Sequence, residues 1–208
     1  LRYCVIFRNH GAEAGATISH PHSQIMAIPV VPGRVKSKLG AAREYFARNE
    51  RCIFCDLIAQ ELRLDERIVM DNGSFVAMAP YASRFPFELA IYPHEHSHDF
   101  TDMDEPARAA LAEVLQRSLA YLGPALGSPA YNFIINIAPN PTDRPGKPDY
   151  WSSLHLDYHW HIEILPRVTS IAGFEWGTGF YINPVAPEDA ARFLKDAMQR
   201  TPEVIPGG

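Results

Sequence analysis

The 208-residue sequence predicts an α+β fold, an antiparallel sheet flanked by helices. Three observations carry that expectation. Short β-rich apolar runs recur along the chain and are punctuated by Pro, Gly, Asn and Asp. Longer stretches between them space their apolar residues as one face of a helix. The runs RIVMDN, SFVAMAP and FELAIYP follow one another across turn residues, as in a meander. Apolar residues make up 47% and charged residues 21%, enough to build a core and too few charges for a disordered chain.

Taken in order, residues 1–8 read as a buried strand, and residues 9–19 as a loop of small residues. His20-Pro-His22-Ser-Gln24 leads into the apolar run IMAIPVV, and Pro29, Pro32 and Gly33 mark a boundary. Residues 34–50 fit an amphipathic helix with Leu39, Ala42, Tyr45 and Phe46 on one side. After Cys52-Ile-Phe-Cys55 come a short helix, DLIAQEL, and the three-strand meander. Asp104 and Pro106 open a long helix. YNFIINIA reads as a buried strand, and residues 138–153 as a Pro-rich loop long enough to be functional. HLDYHWHIEILP reads as a strand placing His155, Asp157, His159 and His161 on one face. A Gly-rich stretch, GFEWGTGFY, and a helix over 187–199 complete the chain. The expected organisation is a remnant unit at 1–33, a linker helix at 34–51 and a full unit at 52–208.

Charge and cysteine usage bound the function. The net charge of −5 offers no basic surface for nucleic acid. No apolar run approaches the length of a membrane span. The three cysteines suit a metal in a reducing compartment better than a disulfide framework. Together these predict a cytoplasmic protein with neither nucleic-acid nor membrane partners.

The nine histidines cluster. His10 stands alone. The others fall at 20 and 22, at 94, 96 and 98, and at 155, 159 and 161. Cys52 and Cys55 form a Cys-x-x-Cys chelate that aims two thiolates at one ion, so the pair predicts a zinc site. Its two imidazoles must come from the second and third histidine groups, one from each.

His20-Pro-His22 and His159-Trp-His161 share an H-x-H pair followed by an apolar strand ending in Pro, a weak internal repeat. An imidazole is a competent nucleophile near neutral pH and can take up and release a phosphoryl or nucleotidyl group. Around the first pair stand donors for such a group: loop amides, Asn9, Ser19 and Gln24. Around the second stand Trp160 and Glu163, whose bulk and negative charge disfavour a phosphate. His22 is therefore the expected nucleophile and His161 a structural residue or a secondary metal residue.

The loop HGAEAGATISHPHSQI closely resembles the active-site loop of galactose-1-phosphate uridylyltransferases, the nucleotide-transferring branch of the histidine-triad (HIT) superfamily. CIFC, PHEHSHDF, HWHIEILPR and IAGFEWGTGFYINP resemble the C-terminal lobe of the same family. The resemblance implies HIT-like lobes, here one complete C-terminal lobe and the end of an N-terminal lobe. It implies His22 as the nucleophile that passes UMP from UDP-glucose to galactose 1-phosphate, with Gln24 on the transferred phosphoryl and Asn9 and Ser19 on phosphate. It also implies Glu175 against the sugar, zinc on Cys52, Cys55, His96 and His159, and His20 on a first-lobe zinc. A glutamine that the family places on the hexose phosphate has no clear counterpart in WGTGFYIN. If the two copies share one spacing, a first cysteine pair lies about 87 residues before Leu1. Most of a first lobe is then expected upstream, and a homodimer is expected of the intact protein, with residues 173–181 near the subunit boundary. Two other readings use the same residues: an ADP-sugar or dinucleoside phosphorylase, and a zinc-stabilised module without catalysis.

Overall fold

The structure is a computed structural model and describes residues 1–142, 146 and 150–200. Seven strands form one antiparallel sheet: β1 (Tyr3–His10), β2 (Gln24–Ile28), β3 (Ile68–Asp71), β4 (Phe75–Met78), β5 (Leu89–Pro93), β6 (Tyr131–Asn136) and β7 (His161–Pro166). Their order across the sheet is β2-β1-β6-β7-β5-β4-β3. The helices are α1 (Gly33–Asn49), α2 (Ile53–Leu64), α3 (Glu105–Leu126), α4 (Leu154–Asp157), α5 (Gly173–Thr178) and α6 (Pro187–Arg200).

The period of two along the strands sorts side chains between the two faces. Phe133 and Ile135 of β6 and Ile162 and Ile164 of β7 enter a core with Val114 and Leu122 of α3 and Leu194 of α6. The opposite face packs Tyr3 of β1 against Leu39 and Ala42 of α1, Phe54 of α2 and Tyr158. Asn132 and Asn136 alternate with Phe133 and Ile135, so they fall on this second face, as do His161 and Glu163. The buried apolar residues alone explain most of the fold's cohesion. At about 1.5–3 kcal/mol for each fully buried large side chain, they outweigh any single ion pair described below.

The ends of the elements follow from their residues. Asp104 caps α3 by accepting from the Ala107 N–H at 2.9 Å, and Gly127 ends it in the left-handed conformation at φ 72°. α6 is tied to the meander by Arg67, which is buried and donates to Glu61 at 2.8 and 2.9 Å and to Glu188.

The repeat read from the sequence has a geometric form. The hairpins β1–β2 and β6–β7 meet along β1 and β6, which pair antiparallel from Ile6↔Ile135 to His10↔Tyr131. Each hairpin carries its H-x-H pair just before or at the start of its second strand. Residues 1–33 thus continue the sheet of the larger unit.

Two local expectations change. The strand expected over HLDYHWHIEILP begins only at His161, because Leu154–Asp157 is a helical turn closed by the Tyr158 N–H on Leu154 O at 3.1 Å. The Trp160 N–H is taken by Ser97 O at 3.0 Å and not by a sheet neighbour. His155 and Asp157 therefore do not share the strand face of His161. The Gly-rich stretch contains a helical turn, α5, closed by the Gly179 N–H on Glu175 O at 2.8 Å. The Pro-rich loop expected over 138–153 lies partly outside the described residues.

Candidate active site and metal centre

The loop between β1 and β2 is shaped by the second hairpin. Gly11 has φ 81° and lies so close to β6 that a Cβ there would stand 2.7 Å from the Ala130 Cβ. A side chain fails there on both counts. His10 stacks on Tyr131 with ring centroids 4.7 Å apart. The Gly11 carbonyl accepts from the Ala14 and Ala16 N–H groups at 3.2 and 3.1 Å, coiling the loop back on itself. The coil walls a hollow of about 410 Å³ whose lining includes Arg8, Asn9, Ser19 and His20.

His22 follows that hollow and is half-buried. Its Nδ1 lies 2.8 Å from the carbonyl of His20. A carbonyl only accepts, so Nδ1 carries the proton and the lone pair of a neutral ring sits on Nε2. Gln24, two residues on, opens β2 opposite Phe7 and is also half-buried.

The second H-x-H pair repeats this geometry and then closes it. His161 is buried, and its Nδ1 lies 3.0 Å from the carbonyl of His159, so Nε2 again holds the lone pair. Here that lone pair is occupied. Lys38 of α1 donates to His161 Nε2 at 2.7 Å, to Glu163 Oε1 at 2.8 Å and to Asn136 Oδ1 at 3.2 Å. Arg84 donates to Glu163 Oε2 at 2.8 Å and also binds Glu88. Burial, reinforced by the Lys38 charge, holds the His161 imidazole below its usual range. Burial opposes ionisation of Glu163, yet the Lys38 and Arg84 cations that donate to it hold the carboxyl far below the usual carboxylate range.

A separate group gathers Cys52, Cys55, His96 and His159, whose candidate ligand atoms all lie within 4.8 Å of one another. Cys52 caps α2 and Cys55 lies one turn on, so both sulfurs sit at the helix's positive end, which favours thiolates. His96 arrives from the segment after β5 and His159 from the segment before β7. His96 Nε2 donates to the His155 carbonyl at 3.1 Å, and His159 Nε2 to the Pro93 carbonyl at 3.0 Å. Both rings thereby turn an unprotonated Nδ1 inward, 3.3 and 3.6 Å from Cys55 Sγ. The hydrogen bond with Cys55 draws the Cys52 thiol well below its usual range, and the same bond together with burial pushes Cys55 up. Two sulfurs and two oriented imidazole nitrogens, each ring anchored by a backbone carbonyl, suit a tetrahedral metal. This group can hold a metal ion.

Other expected residues stand apart. Among the described residues, His20 joins no Cys/His group. Glu175 accepts from the Ala172 N–H at 3.0 Å, closing its own helical turn, and does not line the loop hollow. His94 pairs with Asp71 at 2.9 Å. Sequence reasoning missed Lys38, Arg84, Asn132 and Arg167. Only the asparagines left a signal, as polar residues within the apolar run YNFIIN whose burial requires partners. Lys38 reads as an ordinary polar residue of an amphipathic helix.

A sheet of this order with paired H-x-H hairpins on one face defines a HIT-like α+β protein. The fold is shared with a zinc-bound histidine triad family protein from Mycobacterium smegmatis, at a TM-score of 0.50 and 18% identity over 73% of this chain and 95% of that one. A family model described as a domain of unknown function (DUF4921) matches residues 1–203, and the chain belongs to that family. ADP-glucose phosphorylase from Arabidopsis thaliana is 36% identical over 197 residues, 94% of this chain and 52% of the relative. Its crystal structure with bound ADP-glucose superposes with a TM-score of 0.81, covering 94% of this chain and 59% of that one. Galactose-1-phosphate uridylyltransferase from Thermotoga maritima is 31% identical over 202 residues, 94% of this chain and 60% of the relative. The chain thus spans between half and three-fifths of the length of these relatives. Its homologues are nucleotidyl-transferring enzymes. No helix among the described residues is long and apolar enough to cross a membrane.

Proposed function

We propose that the chain carries the nucleophile of a nucleotidyl transfer between sugar phosphates, with His22 as that nucleophile. The carrying observation is the pairing of a half-exposed Nε2 lone pair with a proton fixed on Nδ1 by the His20 carbonyl. In the first half-reaction Nε2 attacks the α-phosphorus of a nucleoside diphosphate sugar. The N–P bond forms, the P–O bond to the sugar phosphate breaks, and the sugar 1-phosphate leaves with the electron pair. The Nδ1–H bond to His20 stabilises the positive charge that develops on the ring. Asn9, Ser19 and Gln24 donate to the non-bridging oxygens, where charge gathers. In the second half-reaction a phosphate oxygen of the acceptor attacks the same phosphorus, restoring His22.

Two acceptors fit this scheme. Galactose 1-phosphate with a UDP-glucose donor follows the uridylyltransferase motifs. Inorganic phosphate with an ADP-glucose donor is favoured by the identity to ADP-glucose phosphorylase, 36% against 31% for the uridylyltransferase, and by the lack of a clear counterpart for the hexose-phosphate glutamine. Incubating the full-length polypeptide with UDP-glucose or ADP-glucose, then with each acceptor, separates them by product. Turnover of neither donor would contradict the proposal.

Zinc is the metal that this donor set suits best, held by Cys52, Cys55, His96 and His159. It would clamp the start of α2 to the segments flanking β5 and β7, a structural role remote from the nucleophile loop. The exposed Phe174, Trp176 and Phe180 support a homodimer in which α5 meets a second subunit. Sedimentation as a monomer at micromolar concentration would contradict that assignment.

A further inference from the structure

Asn9 and Asn132 face each other directly across the junction of the two hairpins, as paired residues of β1 and β6. The Asn132 side chain is buried, and its amide is fully engaged. Nδ2 donates to Asn9 Oδ1 and to the Ala14 carbonyl, both at 2.8 Å, and Oδ1 accepts from Arg167 Nε at 2.8 Å. This arrangement fixes which way round the amide lies. A flipped Asn132 would set its oxygen against two acceptors and its NH2 against the guanidinium, losing three hydrogen bonds at once. The Asn9 amide is fixed in turn. Its oxygen is committed to Asn132, so its Nδ2 turns to the nucleophile loop, where its contact is the Gly15 carbonyl at a long 3.5 Å. Asn9 also lines the loop hollow.

We propose that Asn132 and Arg167 are positioning residues, a relay that aims the Asn9 N–H at the transferred phosphoryl group. The inference rests on the nucleotidyl-transfer reading of His22. Both residues belong to the second hairpin, Asn132 on β6 and Arg167 just after β7, where the Arg167 N–H is itself held by the Ala130 carbonyl at 2.7 Å. The second hairpin thus serves the first across the β1–β6 seam. The relay also polarises. The Arg167 cation draws electron density from the Asn132 carbonyl, which strengthens the Asn132 donor and, through it, the acidity of the Asn9 N–H. A donor held in place before the phosphate arrives needs no reorganisation during the reaction.

A merely structural role for Asn132, holding the loop through Ala14, predicts different kinetics from a relay. The test is single-turnover nucleotidylation of the full-length polypeptide by nucleoside diphosphate glucose labelled in the α-phosphate, with the rate constant separated from donor affinity. Asn132→Asp keeps the shape and the Arg167 partner but presents only acceptors to Asn9, which must turn its oxygen toward the phosphate. Its rate constant should fall about 100-fold. Asn132→Ala leaves Asn9 free to rotate and should fall about tenfold. Neither change should add to the loss from Asn9→Ala when the two are combined. A structural role makes the losses additive, since alanine then leaves a cavity and unpairs the Ala14 carbonyl and Arg167 whatever stands at position 9. Thermal melts identify any variant that does not fold. Arg167→Met then serves, with an expected fall of about tenfold that also disappears in the Asn9→Ala background. Additive losses overturn the relay while leaving His22 in place. A wild-type chain that takes up no label overturns the reading of His22 and the relay with it.

Discussion

His22 and His161 have the same local geometry and opposite surroundings. Each donates its Nδ1 proton to the carbonyl two residues earlier, at 2.8 and 3.0 Å, and each keeps its lone pair on Nε2. Just before His22 in the chain lies a loop hollow of about 410 Å³ whose lining includes Arg8, Asn9, Ser19 and His20. Opposite His161 lies the Lys38 ammonium, 2.7 Å away, with Asn136 and Glu163 taking the rest of its donors. The backbone of an H-x-H hairpin therefore prepares an imidazole without deciding its use. The surroundings differ: the first pair adjoins a loop hollow that includes Asn9 and Ser19, while in the second Lys38 occupies the Nε2 lone pair with Glu163 beside it. From the second hairpin, Asn132 reaches Asn9 of the first and is itself held by Arg167.

The comparison breaks most sharply at the two histidines. His22→Ala should abolish the nucleotidyl-enzyme, a loss of at least about 10³-fold, with the melting curve unchanged. His161→Ala should leave labelling intact but destabilise the fold by about 2–3 kcal/mol, because Lys38 loses an acceptor and the buried ring leaves a cavity. Denaturant melts and label uptake read the two effects separately.

Metal removal acts on the scaffold alone. Chelation should unfold the segment around Cys52 and His159, since structural metal binding is coupled to folding. Metal analysis of protein purified without chelator should return about one zinc per chain. Protein that is metal-free and equally stable would remove the centre from the account.

Lys38→Met strands the Glu163 carboxylate against one remaining cation, Arg84. The expected cost is about 2–3 kcal/mol, toward the low end for a broken buried pair because the Lys38 side chain keeps 24% exposure. Adding Glu163→Gln should recover part of it, measured as a double-mutant cycle.

The smallest expected effect is on pH dependence. The folded-state pKa of Glu163 is depressed, so the unfolded chain binds the extra proton first on acidification. Its stabilisation is complete above the ordinary glutamate value of 4.5 and is lost as pH falls below that value toward the folded pKa. Glu163→Gln should flatten the stability curve below about pH 4.5 and leave its slope unchanged near neutrality.

Much of this was legible in the sequence because it depends on local pattern. The apolar run YNFIIN and the alternation in HIEIL mark strands, the spacing of Leu39 and Ala42 marks a helix, and the small residues after His10 mark a tight loop. The spacing of Cys52 and Cys55, read with the histidine groups, points to a metal chelate. The choice of His96 over His94 or His98 came through the family motif, and the structure brings His96 and His159 to the two cysteines. What stayed hidden was long-range pairing. Lys38 lies 123 residues from His161 and Asn132 lies 123 residues from Asn9, and nothing near any of them records the contact. The strand expected through His155 and Asp157 failed for a similar reason, since the polar alternation HLDYH fits a helical turn as readily when no neighbouring strand pairs with it.

The division of labour between the hairpins is tested most directly by locating the covalent intermediate. The full-length polypeptide is quenched after brief exposure to UDP-glucose or ADP-glucose, digested without acid, and the phosphoramidate mapped by mass spectrometry. The account predicts nucleotidyl modification on the peptide containing His22 and none on the peptide containing His161. Modification of His161, with His22 untouched, would contradict it.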